Sequence, residues 1–151
     1  MQTSTSEDVP STGIWHDRPS IELAKERSAT SVIGHLGIEF TEVGADHVAA
    51  RMPVDQRTLQ PAGVLHGGAS VLLAETLASW GATFVVDPER AYCVGMEINA
   101  NHLRPVMSGW VSGVARPVTL GRRTQVWETR ITDETDRLVC ISRCTMAVVE
   151  R

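Results

Sequence analysis

Glu75 is the only ionisable side chain in an apolar stretch that runs roughly from residue 67 to residue 86, and the stretch opens at Leu65-His66-Gly67-Gly68. A carboxylate in such company is a paired structural ion, a solvated position facing a groove, or a functional acid, base or nucleophile. The context favours chemistry. Glycines at a helix start expose backbone N–H groups at the positive end of the helix dipole, where a developing oxyanion is stabilised. The same pair also serves as an N-cap that permits sharp chain entry. A polarised carbonyl and an attacking oxygen together suit acyl transfer. Gly67 and Glu75 are eight residues apart, which is roughly 12 Å along a helix. The two cannot touch one carbonyl within a single chain.

The elements that position these groups are legible in outline. Residues 20 to 34 carry a weak helical pattern that ends at Gly34. Residues 37–43 and 47–54 alternate as strands across Gly44-Ala45-Asp46, a hairpin signal. Residues 55–65, with Pro61 and Gly63, read as a loop entering the central helix. Strand-like runs follow at about residues 92–104, 110–118, 124–132 and 138–149, separated by Pro105 with Ser108-Gly109, by Gly121 and by the polar residues 133–137. Short connections favour antiparallel neighbours, so the C-terminal half is expected to be a meander. On the central helix, Leu73, Leu77, Trp80 and Phe84 form a large face suited to a sheet. Gly68, Ser79 and Ala82, with Val71 and Ala78 alongside, form a small face around Glu75, suited to a second helix. We therefore expect a homodimer. Two antiparallel helices crossing near residue 71 bring Gly67 of one chain toward Glu75 of the other.

Composition narrows the function classes. With 151 residues and 42% hydrophobic content, the chain fits one domain. Eighteen acidic against fourteen basic residues, with no Lys or Arg run, argue against nucleic acid as a partner. Cys93, Cys140 and Cys144 lack metal or redox spacing and read as free buried thiols; no metal is expected. Residues 1–18 are rich in Ser, Thr and acids, a flexible tail rather than a signal peptide, leaving 19–151 as the domain and the cytoplasm as its expected location. Residues 69–86 approach spanning length, but Glu75 and the Ser, Thr and Gly content favour a buried helix over a membrane span.

The motifs Met52-Pro53-Val54-Asp55, Gln60-Pro61, Gly63, Leu65-His66-Gly67-Gly68-Ala69-Ser70, Ala74-Glu75 and Ser79 resemble the hotdog-fold thioesterases of the phenylacetate-pathway and 4-hydroxybenzoyl-CoA type. The run Val94-Gly95-Met96-Glu97-Ile98-Asn99-Ala100-Asn101-His102 looks especially like the 1,4-dihydroxy-2-naphthoyl-CoA thioesterases of menaquinone synthesis. The resemblance covers about residues 30 to 150. It implies an α+β hotdog fold, an antiparallel sheet of five to six strands wrapped around the long helix. It also implies acyl-CoA hydrolysis without a cofactor, coenzyme A being part of the substrate, and a tetramer of two dimers. Carried over by position, it makes Glu75 the nucleophile or general base, has Gln60 and the Gly67 N–H polarise the carbonyl, has His66 assist in orienting it, and has Ser79 place substrate or water. Gly68 joins the expected substrate contacts, and Asn101 and His102 are candidates to line the substrate channel. Arg104, Arg122, Arg123 and Arg143 are candidates for the phosphates of coenzyme A, since a guanidinium suits bidentate phosphate contacts. A hotdog hydroxyacyl dehydratase and a non-catalytic acyl-CoA binding module are the competing readings.

Overall fold

The structure, a computed structural model, describes residues 13–151. One six-stranded antiparallel sheet, in the order β1-β2-β4-β5-β6-β3, curls around a single long helix. The strands are β1 (Glu39–Val43), β2 (Val48–Pro53), β3 (Ala91–His102), β4 (Trp110–Leu120), β5 (Thr124–Asp133) and β6 (Leu138–Glu150). The helix is α3 (Gly67–Val85), preceded by the short α1 (Ile21–Ser28) and α2 (Val32–His35).

The single helix expected over residues 20–34 is thus two. Ser20 caps α1 by accepting the Leu23 N–H at 3.1 Å, and Ser31 starts α2 by accepting the Ile33 N–H at 3.3 Å. A serine able to cap in mid-segment competes with helix continuation, and here it wins. The expected hairpin is β1–β2, closed by the Gly44 N–H donating to the His47 carbonyl at 2.9 Å.

The expected meander holds only for β4, β5 and β6. β3 pairs with β6 at the far edge, while β2 takes the place beside β4. Residues 103–109 are too long for a tight hairpin. They cross the end of the sheet, and their backbone finds three separate partners. The Leu103 N–H donates to the Val139 carbonyl (2.8 Å), the Val106 carbonyl accepts from the Leu65 N–H (2.7 Å), and the Gly109 carbonyl accepts from the Val54 N–H (2.8 Å). A connecting segment satisfied in this way is held in place, beside the start of α3.

The seating of α3 reverses part of the size-based expectation. Its buried arc is Ser70, Leu73, Ala74, Leu77, Ala78, Gly81 and Ala82. Ala78 and Ala82 therefore face their own sheet, not a partner, and Trp80 and Phe84 lie half-buried at the flank, packed on each other and, through Trp80, on Phe40. The physical reason is reciprocal bulk. A side chain at Gly113 would stand 2.9 Å from Leu77, and one at Gly81 would stand 2.7 Å from the Trp127 ring. Large meets small in both directions. α3 is long and apolar enough to cross a bilayer by composition, but its buried arc lies against the sheet.

The Trp127 ring meets Gly81 at its outer edge and stacks with Trp15 at 6.4 Å, and the Trp15 indole donates to the Gly44 carbonyl at 2.8 Å. Trp15 is buried, so the loose segment expected over residues 1–18 does not extend through it; residues 1–12 lie outside the described residues.

Fully buried, with α3 at its edge and Trp15 stacked on it, the Trp127 ring has little room to yield. Gly81→Ala gains about 1 kcal/mol of helix propensity but overpacks the ring at a cost of roughly 1–3 kcal/mol. The expected net result is a fall in unfolding free energy of about 1 kcal/mol, read as a lower denaturant midpoint at unchanged m-value. A midpoint raised by the substitution would show that the helix can slide.

Candidate active site

His66 sets the start of α3. Its extended backbone (φ −69°, ψ 130°) makes it the N-cap, and its Nδ1 accepts the Gly68 N–H at 2.8 Å, which requires the ring proton on Nε2. The Ala69 and Ser70 amides donate to the His66 carbonyl at 2.9 and 3.2 Å. Three of the first four amides are thereby satisfied. The Gly67 N–H has no partner among the described residues, and such an unpaired donor at a helix start is an anion-binding group. Gly68 separates from Gly67 in role, because its amide is committed to His66.

Gln60 lies in the same cavity as Gly67, a space of about 370 Å³ that also takes in Leu65, His102, Arg104 and Val139. The Gln60 Oε1 accepts the Ala62 N–H at 2.6 Å, which fixes the amide orientation and leaves its Nε2 as a free donor. The cavity thus joins two uncommitted N–H groups. His102 points inward with the parity of Ile98 and Ala100, and a side chain at Gly67 would stand 2.9 Å from its Nε2. Asn101 alternates to the opposite face of β3.

Glu75 and Ser79 line a different cavity, of about 400 Å³, on the stripe of α3 that the sheet leaves uncovered. The Glu75 carboxylate is half-buried and makes no hydrogen bond or ion pair among the described residues. Ser79 reaches only the Met146 sulfur, at 3.9 Å. One chain therefore holds the carboxylate and the N–H donors in separate spaces, as the helical rise requires.

The thiols are not rival nucleophiles. Burial raises all three above the usual thiol range, and Cys144, which also feels Glu75 and Glu97, is pushed up to about 11. Cys140 and Cys144 are buried, whereas Cys93, expected to be buried as well, is only half-buried; a thiol held toward its protonated form is a weak nucleophile.

Among the described residues, eight arginine side chains have a carboxylate or carbonyl partner: Arg18, Arg51, Arg57, Arg90, Arg116, Arg130, Arg137 and Arg151. The candidates Arg104, Arg122, Arg123 and Arg143 have none, and only Arg104 lines the Gln60–Gly67 cavity. Arg122 and Arg123 sit in the β4–β5 turn, toward the C-terminal end of α3, and Arg143 is on β6 opposite Asn99 and Glu128.

Comparison with known proteins places the chain in a family. The family model of the thioesterase superfamily matches residues 62–140. The 1,4-dihydroxy-2-naphthoyl-CoA hydrolase of Escherichia coli is 45% identical over 136 residues, covering 90% of this chain and 99% of that one. The proofreading thioesterase EntH of Cronobacter turicensis is 46% identical over 136 residues, covering 90% and 98%. The crystal structure of a mutant thioesterase from Pseudomonas aeruginosa superposes with a TM-score of 0.90 at 45% identity, covering 92% of this chain and 100% of that one. These relatives favour thioester hydrolysis over dehydration or passive binding.

Sequence reasoning about single residues missed Gly95. A Cβ there would stand 2.8 Å from the Glu75 Oε1, and the β3–β6 register slips between Gly95 and Glu97. Glycine inside a strand marks a bulge or a close approach, and that signal was available. Gly95→Ala is expected to push the carboxylate aside, lowering kcat for thiol release roughly 10- to 100-fold while the thermal midpoint stays within a few degrees. Unchanged kcat would show that the carboxylate position is not set by β3.

Proposed function

Because the chain belongs to the thioesterase superfamily, we propose that it hydrolyses acyl-CoA thioesters, aryl-CoA esters among them, in the cytoplasm, at sites shared between two copies of the chain. The observation that carries this reading is the division of the catalytic groups between two cavities, with free N–H donors in one and a free carboxylate in the other.

A second copy is the occupant that unites them. The uncovered stripe of α3 contains Gly68, Val71, Glu75 and Ser79, small enough for another α3 to lie close. β3 is an edge strand of 12 residues, with Tyr92, Val94 and Met96 exposed to 42%, 43% and 64%. A long apolar edge of that kind is normally covered. An antiparallel copy sets its own α3 against this one and continues the sheet through β3. It also turns its β4–β5 turn toward this chain's Gly67 end, which brings Arg122 and Arg123 of one copy toward Arg104 of the other as a phosphate-binding group. Pairing of two such dimers is the assembly the family resemblance implies.

In the shared site the thioester carbonyl oxygen accepts from the Gly67 N–H and the Gln60 Nε2, and these donors stabilise the negative charge as the carbonyl carbon becomes tetrahedral. Two routes use the same geometry. Glu75 attacks the carbon, expels the CoA thiolate and leaves a mixed anhydride that water opens; or Glu75 takes a proton from water as that water attacks, and collapse of the tetrahedral species breaks the C–S bond and releases the CoA thiolate, which takes up the proton. Turnover in oxygen-18 water, followed by mass analysis of the Glu75 peptide, separates them when label enters the carboxylate, which excludes the pure general-base route. Similar identity to two differently named thioesterases does not choose the acyl group. Thiol release across aryl, short aliphatic and long aliphatic CoA esters does, and we expect aryl esters to lead.

Mixed oligomers test the shared site. Glu75→Ala alone should lose roughly 10²- to 10⁴-fold in kcat, and Gly67→Pro, which removes one N–H donor, roughly 10²- to 10³-fold. Proline is tolerated at the first helical position, and the extended backbone of His66 accommodates it. Gly67→Ala, which adds bulk beside His102 but keeps the amide, is the control. Refolding the two defective chains together at equal ratio yields about half heterodimers, each with one intact site, so about a quarter of wild-type activity should return. Activity no higher than either parent would place the whole site in one chain.

A further inference from the structure

Five arginines among the described residues have neither a carboxylate nor a carbonyl partner for the guanidinium, and four of them are the phosphate candidates described above. The fifth is Arg27. It lines the Glu75 cavity rather than the Gln60 cavity, and it is the only cation there. The rest of the wall is mostly apolar, made by Val32, Ile33, Leu72 and Trp80, with Glu75 and the hydroxyls of Thr76, Ser79 and Thr83 set into it. Of the hydroxyls present, Thr83 is committed to the Ser79 carbonyl at 2.8 Å.

The placement of Arg27 follows from the way α1 is anchored. Ala24 and Ser28 are the buried positions of that helix, so Arg27, one residue before Ser28, projects from the rim of the buried face. From there it overhangs the uncovered stripe of α3. Glu22 and Glu26 lie on the same short helix, yet neither comes within ion-pair distance of it. A guanidinium that pairs with no carboxylate among the described residues, in the wall of a cavity of about 400 Å³, offers a planar fork of donors to whatever fills that space.

We propose that Arg27 is a specificity-determining residue that selects acyl groups carrying an anionic or hydroxyl oxygen on the part remote from the thioester. The inference rests on the reading of the Glu75 cavity as the acyl site. The apolar wall takes the hydrocarbon body of the acyl group, Glu75 faces the thioester carbon, and Arg27 meets an oxygen that the apolar wall cannot satisfy. Without that cation, an anionic acyl substituent entering the cavity would lose its water with only hydroxyls, and no positive charge, to meet it. With it, an acyl group lacking the oxygen gains nothing from Arg27, and the two substrates are discriminated.

The test is a cycle between residue and substrate substituent. kcat/KM for thiol release is measured for benzoyl-CoA and for its 3- and 4-hydroxy and 3- and 4-carboxy derivatives, on wild type, Arg27→Met and Arg27→Lys. Methionine retains most of the apolar stem and removes the charge. In Arg27→Met, the ratio of the better carboxylated substrate to benzoyl-CoA should fall at least about tenfold relative to wild type, the hydroxylated ratio should fall less, and benzoyl-CoA itself should change by no more than about threefold. Arg27→Lys should recover part of the carboxylate ratio. Ratios unchanged for every isomer, or a parallel loss on all five substrates, would overturn the proposal, the parallel loss marking Arg27 as a contact to the ring or to coenzyme A. Arg27→Gln replaces the methionine variant if circular dichroism shows that the latter is misfolded. Where wild type cleaves no aryl-CoA, the pair glutaryl-CoA and valeryl-CoA carries the same comparison. Failure of wild type on every acyl-CoA would strike the proposed function, whereas an unchanged ratio strikes Arg27 alone.

Discussion

The rotation of α3 about its own axis governs everything downstream, and two contacts of reciprocal size fix it: Leu77 over Gly113, and the Trp127 ring over Gly81. With both satisfied, the helix has one azimuth. Ser70, Leu73, Ala74 and Leu77 go inward, and the stripe bearing Glu75 and Ser79 stays open along one side. The same azimuth carries the Glu75 carboxylate to Gly95 on β3, where only a glycine leaves room. A larger residue at either helix–sheet contact would rotate or lift α3, and the carboxylate would move with it.

At the other end of α3 the control is polar. His66 occupies one amide with its ring and two more with its carbonyl, and the amide left over belongs to Gly67. Selection of a single donor is therefore a product of capping, not of glycine content alone. Gln60 reaches the same cavity because its own side-chain oxygen is tied to the Ala62 N–H, turning the nitrogen outward. These are short-range hydrogen bonds, each made within a few residues along the chain.

That range explains what the sequence disclosed. Element types, the hairpin at Gly44 and the extent of the long helix follow from periodicity and turn chemistry, which are local properties. The incompatibility of Gly67 and Glu75 within one chain follows from helical rise alone. The sheet order does not follow, because nothing local tells β3 to leave β4 and join β6; the choice depends on where residues 103–109 find hydrogen-bond partners. The side of α3 that meets the sheet was misjudged for Ala78, Ala82, Trp80 and Phe84, since size on the helix was considered without Trp127 and Gly113 on the sheet. Arg27 was passed over because its significance lies in a missing partner, a property visible only in three dimensions. Gly95 was legible in principle, as a glycine amid strand residues.

The strand order also has a temporal meaning. β6, the strand between β5 and β3, comes after both of them in the chain, at Leu138–Glu150. During synthesis, which proceeds at roughly 5–20 residues per second, α3 and β3 emerge well before the strand that joins β3 to the rest of the sheet. Until β6 is available, Gly95 has no fixed place from which to position Glu75, and the facing edges of β5 and β3 stay bare. Non-local pairing of this kind is slow and exposed to aggregation. The candidate catalytic carboxylate is therefore positioned only once β6 has been made, and a nascent fragment lacking β6 is a client for chaperones rather than a partly active enzyme.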